Sequence, residues 1–133
     1  MTYTIDLGCY LDAKTRNALS PNGRAFWREK AKAAGAVRGE ACFLMRDAMV
    51  KVGHPNRGIC GAVITIDAGF WGAGLMDKHD NLPALLKPAI DGIADALWPE
   101  RSSSRRDADV TLGECRLVEE RTQPWFRVEV ICD

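Results

Sequence analysis

Asp80-Asn81-Leu82-Pro83-Ala84-Leu85-Leu86-Lys87-Pro88-Ala89-Ile90-Asp91-Gly92-Ile93-Ala94-Asp95-Ala96-Leu97-Trp98 is the stretch around which the rest of the chain is read. At about 100° per residue, Leu82, Leu85, Leu86, Ala89, Ile90, Ile93 and Leu97 collect on one side. Asp80, Lys87, Asp91 and Asp95 collect on the other. The periodicity predicts a helix over Leu82–Trp98 with a core face and a stripe of Asp, Lys, Asp, Asp. Pro88 lacks an N–H and disfavours helix at Lys87. Regular helix can therefore begin as late as Lys87, with Asp80-Asn81 in the turn before it.

Upstream of this helix, Ile59 to Phe70 is β-branched (Val63, Ile64, Thr65, Ile66) and reads as a buried strand. Arg24 to about Met49 is rich in Ala, Arg, Lys and Glu and reads as a second helix, with Gly35 and Gly39 as places where it could break. Thr2–Leu11 reads as a first strand, followed by a loop through Ser20-Pro21-Asn22-Gly23. Downstream, Pro99 to Arg106 is a serine-rich loop. Val110–Glu119 and Trp125–Cys132 then read as a hairpin, with Phe126, Val128, Val130 and Cys132 alternating with Arg127 and Glu129. The order β-α-β-α-β-β predicts one α+β domain spanning residues 1–133. Its mixed sheet would have about four strands, with two helices packed on one face.

Composition narrows the class of protein. The chain has 133 residues, 47% hydrophobic and 27% charged, as expected of one globular domain. No cationic, apolar leader opens the chain, and no apolar run approaches the roughly 20 residues that span a bilayer. A cytoplasmic protein with no membrane partner is expected. Cys9, Cys42, Cys60, Cys115 and Cys132 form no C-x-x-C pair and are odd in number, which argues against a zinc ribbon or a disulfide framework. They read as small hydrophobes. Trp27, Trp71, Trp98 and Trp125 read as anchors of a core or dimer interface, ahead of platforms for unstacked bases.

The formal net charge is zero, yet it is unevenly distributed. Ten bases (Lys14, Arg16, Arg24, Arg28, Lys30, Lys32, Arg38, Arg46, Lys51, Arg57) face three acids (Glu29, Glu40, Asp47) between residues 14 and 57. From Asp77 onward twelve acids face eight bases. A basic half beside an acidic half fits a polyanion grip next to a site that collects cations, and equally a pair of solvated helix faces. Arg24, Arg28 and Lys32 share one helical face and are the candidate DNA contacts.

The acidic stripe has two readings. One is a solvent face carrying an i,i+4 pair of Lys87 with Asp91. The other is a catalytic site. Asp77, His79, Asp80 and Asn81 crowd the helix start, and a second acidic group, Asp107 and Asp109, precedes a strand. Carboxylate oxygens are hard ligands that suit Mg²⁺, or Mn²⁺. Such an ion can activate water and stabilise charge on a phosphate, and a nearby lysine can hold the phosphate or protonate the leaving oxygen.

These residues carry a resemblance. Asp80-Asn81-Leu82 with Leu86-Lys87-Pro88-Ala89-Ile90-Asp91-Gly92 is similar to the D-N-L…L-K-x-x-x-D-(A/G) signature of the RusA family of Holliday junction resolvases. Arg106-Asp107-Ala108-Asp109-Val110 looks like that family's D-D-x-x-V segment, and Ser20-Pro21-Asn22-Gly23-Arg24-Ala25-Phe26-Trp27-Arg28 like its P-N-x-R-x-x-W-R element. The family comprises homodimeric, largely phage-derived endonucleases that nick four-way DNA junctions symmetrically with Mg²⁺. The resemblance implies Asp80 and Asp107 as metal ligands and Lys87 as the catalytic lysine. Two positions depart from the pattern, and the spacing from Asp80 to Lys87 is longer than in the best-known members, matching a long-spacing subgroup. Lys78 stands two residues before Asp80, where the family carries an acid, so Asp77 or His79 is the candidate third ligand. Arg106 replaces the first Asp of the D-D pair. Asp91, Asp109 and His79 remain secondary candidates.

Overall fold

Alternation of buried and exposed residues builds the sheet. The computed structural model describes residues 1–20, 26–53, 59–73, 82–101 and 109–133. Among them β1 (Thr2–Asp6), α1 (Ala13–Leu19), α2 (Trp27–Lys51), β2 (Ala62–Gly69), α3 (Leu82–Leu97), β3 (Val110–Val118) and β4 (Trp125–Cys132) follow in order. The four strands form one mixed sheet in the order β1-β4-β2-β3. Strands β2 and β3 are parallel; β4 runs antiparallel to both β1 and β2. Tyr3 and Ile5, Ile64 and Ile66, and Phe126, Val128 and Val130 point inward. Thr2, Thr4, Arg127, Glu129 and Ile131 point out. Helices therefore cover one sheet face, as a period of two requires.

Three expectations need correction. Residues 13–19, read as loop, form α1, started by Asp12, whose Oδ1 accepts from the Lys14 N–H at 3.1 Å. The first strand stops at Asp6, and Gly8–Leu11 is a 3₁₀ turn. The expected hairpin is split, because β3 and β4 lie on either side of β2 and do not pair. Gly69 of β2 is registered with Val118 on one side and Trp125 on the other. The physical reason is that β2 carries the most buried strand sequence, so both its edges are taken up. Helix α2 also runs through Gly35 and Gly39 without a break, held by buried Val37, Ala41, Met45 and Met49 at four-residue spacing.

The core lies between the sheet and the pair α2 and α3. At one end of the sheet, Tyr10 stacks on Phe126 with centroids 4.3 Å apart, and the Arg16 guanidinium sits 4.2 Å above Phe70. Arg16 Nη1 donates to the Tyr10 carbonyl at 2.6 Å, which satisfies a charge in a mostly apolar site. Tyr10 Oη donates to the Leu85 carbonyl at 2.6 Å and ties the first turn of α3 to this end of the sheet. At the other end of α3, Trp98 Nε1 donates to the Ile59 carbonyl at 2.8 Å, ahead of β2. Burial pushes the Tyr10 hydroxyl pKa far up, so it remains a donor at any ordinary pH. Tyr10→Phe is expected to cost about 1–2 kcal/mol in urea unfolding, the scale of a lost buried hydrogen bond. No loss would mean that the bond adds nothing to packing.

Of the cysteines, Cys132 alone is buried, Cys9, Cys42 and Cys115 are half-buried and Cys60 is exposed, and the five form no disulfide. Trp98 is buried, but Trp27 and Trp71 are 73% and 64% exposed, so they are not core anchors. Among the described residues no helix is long and apolar enough to cross a membrane.

Candidate functional site

Helix α3 presents Lys87, Asp91 and Asp95 along one line, as the 3.6-residue period requires. They do not form one solvent face. Lys87 keeps 64% of its side chain exposed, whereas Asp91 and Asp95 keep 18% each. The difference comes from α2. Gly92 lets the two helices approach so closely that a Cβ there would overlap the Arg38 carbonyl oxygen and lie 2.9 Å from Ala41 Cβ. The approach brings Arg38 over α3, where its Nε and Nη2 donate to the two carboxylate oxygens of Asp95 at 2.6 and 2.9 Å. A two-pronged guanidinium–carboxylate pair of this kind fixes geometry as well as charge. Lys87 Nζ donates to Asp91 Oδ1 at 3.2 Å, the i,i+4 pair read from the sequence. Sequence periodicity did not single out Arg38 or Lys30, because a wheel drawn for one helix says nothing about partners on another.

Contacts from Arg38 to Asp95, and from the start of α2 to the start of α3, set these helices parallel, with their N-termini at the same end. Helices α1, α2 and α3 converge there on a groove of about 520 Å³. Its small residues, among them Ala34, Gly35 and Ala84, leave room, and Lys30, Arg38, Lys87 and Asp91 supply its charge. With Asp95 holding Arg38 and Asp91 holding Lys87, three cations stand against two carboxylates, a small net positive charge that suits a phosphate better than a cation. Arg28 and Lys32 are exposed on the same half of α2, and the Arg28 guanidinium lies 5.4 Å from the Trp27 ring centroid.

Asp109 is elsewhere. It pairs with Arg101 just beyond the C-terminal end of α3. Six residues of helix, about 9 Å at 1.5 Å per residue, separate Asp91 from Leu97, and the two secondary candidates have different partners, Asp91 with Lys87 and Asp109 with Arg101. Asp77, His79, Asp80, Asp107 and Arg24 lie outside the described residues. Among the described residues no three carboxylate, thiol or imidazole groups converge to hold a metal ion. The two ligands that the resemblance implies, Asp80 and Asp107, would be hard oxygen donors suited to Mg²⁺ or Mn²⁺, with Asp77 or His79 as the candidate third. Thiol chemistry is disfavoured at Cys9 and Cys132. Burial raises both pKa values, Glu40 adds to the rise at Cys9, and both stay protonated.

No protein-family model matches the chain, and no curated protein aligns with it significantly.

Proposed function

We propose that this protein is a Mg²⁺-dependent endonuclease that resolves four-way or otherwise branched DNA by paired nicks. The observation that carries the reading is the placement of Lys87. It is exposed, seven residues past Asp80, in a groove whose other cations come from the basic half of α2. The motif resemblance supplies the remainder. In this reading Asp77 (or His79), Asp80 and Asp107 hold the ion, which supplies an activated water and charge neutralisation at the scissile phosphate. Lys87 contacts a non-bridging oxygen of that phosphate, and Asp91 holds its ammonium in place through the 3.2 Å contact. Arg24, Arg28 and Lys32 contact flanking phosphates. Two symmetric nicks require two sites related by a two-fold axis, hence a homodimer.

A specific observation favours a second reading, a DNA-binding module without nuclease activity. Asp109, two residues from Asp107, stands at the far end of α3 from Lys87.

The test is incubation of the protein with a labelled four-way junction and with linear duplex, in Mg²⁺ or in EDTA. The proposal expects symmetric nicks in the junction with Mg²⁺ alone. Binding without cutting selects the second reading, and equal cutting of linear duplex would remove the structural specificity. Lys87→Ala is expected to slow single-turnover junction cutting by about 10²-fold, as for loss of one positioned electrostatic donor. If the substitution changes only the melting temperature, Lys87 is a structural partner of Asp91.

A further inference from the structure

The stripe of α2 that faces the core changes character along the helix. In its later turns it carries Val37, Ala41, Met45 and Met49, all buried. With Trp27 as zero and about 100° per residue, Lys30, Ala31, Ala34, Gly35 and Arg38 fall within about 80° of the same line. These residues line the groove that holds Lys87. Trp27 therefore continues the groove line, one turn ahead of Lys30 and Ala31, and it is 73% exposed. A large ring on the stripe that elsewhere packs the core is here left open. Phe26 precedes the helix in extended backbone and is not on this line.

The helix contacts fix how far along the groove the ring lies. A Cβ on Gly92 would meet Arg38 and Ala41, so in parallel helices Lys87 is level with about residues 33–36 of α2. Trp27 lies roughly 10 Å beyond that level, toward the N-terminal end, at 1.5 Å per residue. Stacked nucleotides rise about 3.4 Å each. A strand whose phosphate meets Lys87 thus brings a base about three nucleotides away to the indole. Lys30 lines the groove between these two points. The Arg28 guanidinium, 5.4 Å from the ring centroid, is placed to meet the phosphate of the nucleotide at the ring. Cations beside an exposed aromatic ring suit a strand whose bases stack on protein. In continuous duplex both faces of each base are covered by its neighbours. Base faces become free only at ends, gaps and branch points.

We infer that Trp27 is a specificity-determining residue. Its indole stacks on an unpaired base of a DNA strand whose backbone follows the groove past Lys30 and Lys87, so that branched DNA is favoured over continuous duplex. The inference rests on the nuclease reading for its substrate, but it concerns binding and needs no cutting.

Binding in EDTA tests it apart from catalysis, with a labelled four-way junction, a linear duplex and a short oligothymidylate as probes. Trp27→Ala should weaken binding of the junction and of oligothymidylate by about 10-fold or more, the scale of losing one base–aromatic stack. Duplex affinity should be unchanged. Trp27→Phe, which keeps a ring, should retain most of the affinity. Oligothymidylate should quench the indole emission of the wild type and of Trp71→Ala, and quench Trp27→Ala much less. Unchanged junction affinity in Trp27→Ala overturns the inference, as does an equal loss on all three probes or a wild type that binds neither junction nor oligothymidylate. A lower sedimentation mass for Trp27→Ala also overturns it, because the ring then covers a second copy of the chain. Cutting by the wild type in Mg²⁺ is read separately. Loss of junction preference in Trp27→Ala without any wild-type cutting would sustain the stacking role and remove the nuclease reading.

Discussion

Asp80→Asn is expected to abolish Mg²⁺-dependent nicking of a four-way junction while leaving fold and junction binding in place. The change removes a carboxylate charge and keeps the side-chain volume, so it acts on an oxygen-seeking cation and hardly on packing. A loss of at least about 10²- to 10³-fold is the expected scale, that of removing one positioned electrostatic stabiliser. Asp107→Asn is expected to do the same, and it is the sharper test. Lys87 sits in the first half of α3, whereas Asp109 pairs with Arg101 beyond its other end. If both variants are dead, Asp80 and Asp107 act together. If Asp107→Asn cuts normally and Asp80→Asn does not, the site is built at the start of α3 without the second acidic segment. Normal cutting by both variants would remove these carboxylates from the chemistry altogether.

Gly92→Val is expected to prevent α2 and α3 from packing, with a loss of about 3 kcal/mol or more in denaturant unfolding, at the upper end for overpacking a core. Two clashes cause this. An added Cβ overlaps the Arg38 carbonyl oxygen and crowds Ala41 Cβ, both on rigid helix. Gly92→Ala should also destabilise, although alanine by itself favours helix by about 1 kcal/mol over glycine. Gly35→Ala provides the control. Nothing lies within 4 Å of a Cβ at Gly35, so only the propensity gain remains and stability should rise by up to about 1 kcal/mol. Opposite signs for two glycine-to-alanine changes in neighbouring helices would establish that the α2–α3 approach, and with it the Arg38–Asp95 pair, depends on Gly92. A stable, fully folded Gly92→Val would show that the approach is not needed.

The sequence by itself determined the elements whose period is strong. Trp125–Cys132 is the strand read from its alternation, and Leu82–Leu97 is the helix read from its apolar face, Pro88 included. It also determined the Lys87–Asp91 pair, because i,i+4 neighbours on one helix are fixed by the local period. Helix α1 went unread, since its seven residues of mixed polarity show too little periodicity to be read as helix.

Only the tertiary structure decided the rest. Strands β3 and β4 are neighbours in sequence and flank β2 in the sheet, since pairing is a competition among all strands that no local pattern records. Asp95 reads as a solvent residue on the wheel and is four-fifths covered, because Gly92 admits α2 and Arg38 comes with it. Phe43 and Val50 were assigned to no face by the sequence, and the structure leaves both largely exposed, away from the core. In each case the deciding contact joins residues far apart in the chain. Its energy depends on which faces meet, a quantity that exists only once the elements have packed.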